Sequence, residues 1–201
     1  YFLRQDVDGI VDREVAGLEL RYFAPEGALT ALFDYDTVFQ HVNIATVQGN
    51  WVAPWKTMYT VAADYRMAPA LQTTTATIGE GTTSIRTLLQ TYSEEELRQR
   101  ARALTAQTAF ASAGFTHPLT RVWQLGMNYS VSRISHTDGT NNVPGTPGTG
   151  YVHTLTGQVI GTGLFATRDV NVVSISEVTS PDYRGFSGRL ASRAPLDEHW
   201  T

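Results

Sequence analysis

The chain has 201 residues, a formal net charge of −4 and no cysteine, so disulfides and thiolate metal sites are excluded. Its cations are 14 arginines and the single lysine Lys56, against 19 acidic residues; this mildly acidic balance argues against a nucleic-acid-binding protein, which needs clustered positive charge. No segment approaches the ~20 apolar residues of a membrane-spanning helix.

Alternation between apolar and polar residues is the dominant pattern along the chain. Because successive side chains of a strand point to opposite faces, this pattern predicts β-strands that separate two different environments. About nine strands are predicted, in chain order, at 16–23, 28–38, 42–52, 57–67, 108–116, 121–134, 151–164, 170–178 and 183–191.

Short connections join most of these strands, for example the Pro-Glu-Gly turn at 25–27. A turn at 39–41 is also predicted, although it lacks glycine and proline. Two connections are long: a Gly/Pro/Thr-rich loop at 137–150 and an insertion at 68–107. One short connection near Pro118 separates them, so we expect both long connections to emerge at the same end of an antiparallel sheet.

The insertion contains one predicted helix, at about 93–107. Ser93 and Glu96 have the spacing of a capping box, and Leu97 and Ala101 recur at helical spacing behind them. Two interpretations are open. The helix either packs a narrow apolar stripe on the surface, or folds over or into the mouth of a barrel as a plug.

Strands with two different faces have two common uses. A soluble sandwich turns its apolar face inward against a second sheet, whereas an outer-membrane barrel turns that face to lipid and encloses water with the polar one. Small polar residues on the polar face, aromatic residues six positions apart on the apolar face, and long loops at one end favour the barrel. We therefore predict an all-β, antiparallel up-and-down transmembrane β-barrel, or part of one, in a single segment over 1–201.

The predicted function is passage of a solute or polymer through a pore in an outer membrane. The alternative is a soluble extracellular β-sandwich that acts as a binding or adhesion module. The predicted pore-lining residues are Glu19, Arg21, Asp34, Asp36, Asp64, Arg66, Gln124 and Asn128. The predicted lipid-facing aromatic residues are Tyr59, Tyr65, Trp123 and Tyr129. A tight hairpin at 25–27 is also expected to bring Arg21 opposite or diagonal to Asp34, as a cross-strand ion pair.

No catalytic motif is present. Gly185-Phe-Ser-Gly188 has the wrong spacing for a nucleophile elbow, and neither a phosphate-binding loop nor a zinc-protease motif occurs. The five histidines lie on different predicted elements without metal-ligand spacing. The sequence thus predicts no enzyme, no metal and no cofactor.

Segments 34–51, 114–126 and 157–173 resemble the barrel region of large bacterial outer-membrane proteins that carry periplasmic tetratricopeptide repeats, some of which export exopolysaccharide. The resemblance implies a barrel in a bacterial outer membrane that transports a solute or a polysaccharide, and it carries over no catalytic residue. It also implies outer-membrane lipid as a partner, with other parts of the same chain or a periplasmic repeat domain. Because 195–201 lacks a closing strand with a terminal aromatic residue, we expect these residues to be internal to a longer chain.

Overall fold

The computed structural model describes residues 1–7, 9–71, 74, 84–136, 150–165 and 169–194. Over these residues the chain forms one antiparallel sheet of ten strands, in which each strand pairs with its neighbours in sequence. The strands are β1 (Phe2–Val7), β2 (Ile10–Ala24), β3 (Gly27–Asp36), β4 (His41–Val52), β5 (Met58–Arg66), β6 (Ala106–Pro118), β7 (Trp123–His136), β8 (Tyr151–Thr162), β9 (Val170–Ser180) and β10 (Tyr183–Arg193). The prediction of an all-β, up-and-down antiparallel fold is confirmed.

The sheet has one strand more than predicted, at its beginning. In β1 two apolar residues are adjacent and three polar residues follow, so period-two alternation could not reveal it. Strand β2 also begins at Ile10, six positions earlier than the alternation predicts, and this extension pairs with β1 from Phe2↔Ala16 to Val7↔Ile10. A bulge between Gln5 and Asp6 interrupts the register there.

Strand register separates the side chains into two faces. We call the face that carries Leu18, Tyr59 and Trp123 the apolar face, and the opposite one the polar face. A row of directly paired residues on the apolar face runs Leu18↔Phe33↔Ala45↔Tyr65↔Ala109. A row on the polar face runs Arg21↔Thr30↔Gln48↔Ala62↔Ser112↔Ser130↔Thr154. The strand register therefore places the apolar residues of neighbouring strands side by side on one surface and the polar residues side by side on the other.

The two ends of the sheet differ. One end carries the connection between β5 and β6 and that between β7 and β8, and we call it the insertion end; this shared end is as predicted. The other, short-turn end carries the turns that follow β2, β4 and β6 and the connection from β8 to β9. Apart from Gly150, the predicted loop at 137–150 lies outside the described residues. Among those residues, β1 and β10 each pair on one side only.

The hairpin between β2 and β3 turns more tightly than its sequence indicates. Ala24 pairs with Gly27, and this register places Arg21 opposite Thr30 and Asp34 opposite Gly17. The expected ion pair of Arg21 with Asp34 is therefore wrong, because the two residues lie four positions apart along the ladder. Arg21 instead pairs with Glu19 of its own strand.

The turn between β3 and β4 is confirmed, and a buried carboxylate stabilises it. Asp36 Oδ1 accepts hydrogen bonds from the backbone N–H groups of Val38 and Phe39, both at 2.9 Å. Gln40 then adopts a positive φ of 52°. The carboxylate satisfies backbone donors of a turn that has neither glycine nor proline.

Two short helices, α1 (Ile85–Leu88) and α2 (Glu94–Leu104), lie in the insertion. The capping box of Ser93 and Glu96 is present at the start of α2, as predicted. The helix ends at Leu104 rather than 107 because β6 already begins at Ala106. Helix α1 was not predicted, since four residues are too few for a recognisable apolar period.

The insertion supplies most of a small apolar core at the insertion end. Its fully packed members are Phe39, Leu71, Ile85, Leu88, Leu97 and Ala101. Phe39 belongs to the turn between β3 and β4, so the core joins the helices to the strand ends. No described helix is both long and apolar enough to cross a membrane.

Candidate functional site

The apolar face is open along most of the sheet. Large apolar residues there are well exposed, among them Leu18, Leu20, Phe33, Val47, Val61, Met127, Ile175, Phe186 and Leu190. A monomeric soluble domain rarely leaves a continuous apolar surface of this extent uncovered. Among the described residues, no second layer of protein covers it.

Charged residues are confined to one region of the apolar face. By register, the described Asp, Glu, Lys and Arg side chains of this face belong to Arg4, Asp6, Glu14, Arg133, Glu177 and Arg184, all toward the insertion end. The remainder of the apolar face, from β2 to β10, carries none among the described residues. We call this remainder the charge-free band.

Aromatic residues lie on the apolar face both near the short-turn end and toward the insertion end of the sheet. Near the short-turn end, Trp51 stacks on Tyr59 with ring centroids 5.8 Å apart and meets Trp55 edge-on at 6.4 Å. Toward the insertion end lie Tyr65 and Tyr129. Six residues separate Tyr59 from Tyr65, which is ~20 Å along a strand.

All four predicted lipid-facing aromatic residues lie on the apolar face and are at least partly exposed. The exposed fractions are 37% for Tyr59, 36% for Trp123 and 45% for Tyr129. Tyr65 is half-buried, and its hydroxyl donates to the sulfur of Met67. Contact with lipid stays a prediction for each of them.

Strand length matches what a membrane requires. A transmembrane strand needs about 9–11 residues at the usual tilt. Strands β2 to β10 have between 9 and 15 residues, whereas β1 has 6.

Two ion pairs dominate the exposed part of the polar face. The Arg21 guanidinium donates to Glu19 at 2.5–2.6 Å, and the Arg66 guanidinium donates to Asp64 at 2.9 Å. Both pairs border one cavity of about 700 Å³ on the polar side of β2 to β6. Its remaining polar-face lining consists of Phe23, Thr30, Leu32, Thr46, Gln48, Ala62 and Phe110. The structure thus brings four of the predicted pore-lining residues together.

Asp34 and Asp36, by contrast, are buried and engaged. Asp34 accepts hydrogen bonds from the Tyr1 hydroxyl at 2.7 Å and from the Asn43 side-chain amide at 3.1 Å. Asp36 is fully buried in its turn, with its second oxygen 3.9 Å from Arg13 Nε. The structure therefore gives these two carboxylates hydrogen-bond partners in the protein and places them away from the open cavity.

Gln124 and Asn128 lie on β7, at exposed positions of the polar face. They are on the opposite side of β6 from the two ion pairs, and neither borders the cavity of about 700 Å³. A pore-lining role stays a prediction for all eight residues.

The insertion covers the polar face at its own end of the sheet. Val15 and Asp36 of the polar face are fully buried there, while their strand neighbours on the apolar face, Ala16 and Tyr35, are exposed. Arg98 donates to the Val38 carbonyl at 2.7 Å, and Arg102 donates to that of Phe39. Both guanidinium groups also lie 5.8 Å from the centre of the Phe39 ring.

These contacts place the helix over the polar side of the sheet at the insertion end, and a role as a plug in the mouth of a barrel stays a prediction. They leave the apolar face free. The main contact between the insertion and the sheet is made by Phe39 in the β3–β4 turn. Its side chain is enclosed by apolar residues and two arginines of the insertion.

Sequence reasoning missed several residues of this site. Thr46, Gln48 and Phe110 border the cavity with the ion pairs, but they are uncharged and belong to no motif that would single them out in the sequence. The register of the predicted strands could have found the first two, since Thr46 pairs directly with Asp64. Among the described residues, no group of three or more His, Asp or Glu side chains could hold a metal ion.

Comparison with known proteins identifies no relative. No family model, no curated protein and no solved structure matches this chain. The site must therefore be interpreted from its own chemistry.

Proposed function

We propose that this chain forms a transmembrane β-barrel, whole or in part, in a bacterial outer membrane, and that its polar face lines a pore for a solute or a polysaccharide. The observation that carries the proposal is the charge-free band on the apolar face. On β3, β4 and β5 the band runs the full length of strands with 9 to 12 residues, which are long enough to cross a bilayer. Passage through such a pore requires no covalent chemistry.

The energetic argument concerns where charge is tolerated. An arginine or lysine on the lipid face costs about 2–4 kcal/mol at the bilayer midplane and almost nothing near the interface. Arg4, Arg133 and Arg184 lie toward the insertion end, as a membrane interface would require. A face exposed to bulk water has no reason to confine its charges in this way.

Closure of the sheet is part of the proposal. Unpaired N–H and C=O groups at a sheet edge are too costly in hydrocarbon, so membrane-spanning sheets are closed. Edge strands β1 and β10 would pair with each other or with further strands of the same protein. Outer-membrane lipid, and other parts of the same chain or a periplasmic repeat domain, are the proposed partners.

The alternative is a soluble extracellular β-sandwich for binding or adhesion. It would need a second sheet packed on the apolar face. The described residues place none there, so the structure offers no specific support for this alternative.

Quenching of tryptophan fluorescence tests the proposal. The full chain is refolded in vesicles whose lipids carry bromine on their acyl chains, using variants that retain only Trp51 or only Trp123. Both residues lie on the apolar face, so we expect strong quenching of each. The control retains a single tryptophan introduced by Gln48→Trp on the polar face, where quenching should be weak.

Equal quenching from both faces would contradict the assignment of the lumen. A folded, monodisperse monomer in detergent-free buffer would rule out the membrane proposal altogether. We expect instead that strand circular dichroism develops only with detergent or lipid.

A further inference from the structure

We infer that the pore discriminates only weakly between small anions and cations, because the charges of its lining neutralise one another in pairs. This inference rests on the proposed function, since it requires the polar face to line a pore. It adds the charge selectivity of the pore and assigns that selectivity to two ion pairs, Glu19–Arg21 and Asp64–Arg66.

Each pair is local to one strand. Glu19 and Arg21 are two positions apart on β2, and Asp64 and Arg66 are two positions apart on β5. Both arginines are mostly exposed, at 62% and 63% of the side chain, so they face open space rather than protein. Ions in the cavity would therefore meet the positive and the negative member of each pair together.

The positions of the two ion pairs along the strands also keep the net charge of this part of the lining small. Glu19 and Asp64 lie in the same row of the ladder, joined through Leu32 and Thr46. Arg21 lies two positions from this row toward the short-turn end, whereas Arg66 lies two positions toward the insertion end. The row of the two carboxylates thus has one arginine two positions away on either side along the strand direction, so the charges of the four residues cancel over about five positions of the lining.

In the rest of the described lining, Asp34 and Asp36 are buried away from the cavity, so the exposed Arg189 and Arg193 of β10 leave a small positive excess. By register, the polar face carries four carboxylates and five arginines: Glu19, Asp34, Asp36 and Asp64, and Arg13, Arg21, Arg66, Arg189 and Arg193. Asp12 is the extra residue of the bulge in β2 and is buried. Helix α2 at the insertion end contributes three glutamates and three arginines.

The wall formed by β6 to β9 is neutral. The polar side chains of this wall include Ser112, Asn128, Ser130, Thr156, Ser174 and Ser176. The hydroxyls of Thr156 and Ser176 are hydrogen-bonded to each other at 2.6 Å. Such a wall offers dipoles to a passing solute but no net charge, so charge selectivity is left to β2 and β5, with a small positive excess from β10.

Reversal potentials across planar bilayers test the inference. The full chain is reconstituted, and the potential is measured in a gradient of KCl at low ionic strength, because salt screens exposed charges. We expect a chloride-to-potassium permeability ratio within about threefold of unity. The double variant Arg21→Gln/Arg66→Gln should shift the ratio several-fold toward potassium, and Glu19→Gln/Asp64→Asn should shift it several-fold toward chloride.

The matched control removes the same charge from the other face. Arg133→Gln/Arg184→Gln alters two arginines of the apolar face, and the permeability ratio should not change. A strongly selective wild-type pore, or polar-face variants without opposite shifts, would overturn the inference while leaving the pore intact. Absence of conductance from a correctly folded chain would instead contradict the proposed function, and a shift in the control alone would mean that the two faces are assigned the wrong way round.

Discussion

Glycines in this sheet differ in whether they leave room for a larger side chain. Gly27 and Gly157 both lie in strands with ordinary backbone angles. A Cβ atom at Gly27 would lie 2.1 Å from the Asn50 carbonyl oxygen and 2.9 Å from Trp51 Cα, and both contacts are with backbone. At Gly157 it would meet nothing within 4 Å.

We therefore expect Gly27→Ala to destabilise the folded chain by about 1–3 kcal/mol, since backbone cannot move aside cheaply. Gly157→Ala should be neutral or slightly stabilising, by up to about 1 kcal/mol, because alanine reduces the entropy of the unfolded state. Urea unfolding in detergent micelles, followed by circular dichroism, measures both changes. Equal effects of the two substitutions would contradict the close approach of β3 to β4.

At the scale of one element, α2 shows how a local motif directs a larger contact. The capping box starts the helix at Glu94, and this start places Leu97 and Ala101 in the core. The same helix places Arg98 and Arg102 on the carbonyls of the β3–β4 turn. Without the cap, the first turn would lose partners for its free backbone N–H groups.

Acid should weaken this helix through Glu96. The Ser93 backbone N–H donates to Glu96 Oε2 at 2.8 Å, and this hydrogen bond, assisted by the Ser93 hydroxyl, lowers the pKa of the Glu96 carboxyl below its usual 4.5. The stabilisation is therefore present above pH 4.5 and is lost as the pH falls through the lowered pKa.

Hydrogen exchange of the α2 amides, corrected for the intrinsic exchange rate, measures this effect. Protection should decline below pH 4.5 in the wild type. Glu96→Gln should reduce protection at neutral pH and remove most of the dependence on pH. Glu95→Gln, in the same helical turn but outside the capping box, is the control and should keep the decline; a decline that survives Glu96→Gln would assign it to another group.

At the scale of the whole molecule, the separation of the two faces is the feature on which the proposed function depends. Val47 and Gln48 are consecutive residues of β4, and both are exposed. By register, Val47 belongs to the charge-free band, whereas Gln48 lies on the polar face between Thr30 and Ala62. The same new charge placed at each position should therefore meet different surroundings.

We expect Val47→Arg to reduce the free energy of folding into lipid vesicles by about 2–4 kcal/mol, the cost of arginine near the bilayer midplane. Gln48→Arg should cost less than about 1 kcal/mol, because the polar face borders water in the proposed pore. Equilibrium refolding from urea into vesicles gives both values. Similar tolerance of the two substitutions would contradict a lipid-facing band.

The sequence by itself determined the features that depend on neighbours along the chain. Alternation around Tyr59 and Trp123 predicted strands and their two faces, and Ser93 with Glu96 predicted where a helix begins. These features are local because side-chain direction in a strand and capping in a helix depend on positions only one to three residues apart. Strand β1 was not predicted because its pairing with β2, rather than its own residue pattern, makes it a strand.

Only the tertiary structure decided which distant residues meet. It paired Arg21 with Glu19 instead of Asp34, because the register of a hairpin cannot be read from its turn sequence alone. It buried Asp34 and Asp36, and it folded the insertion over the polar side through Phe39. Burial and register depend on contacts between segments far apart in the chain, so they are properties of the assembled sheet rather than of any single strand.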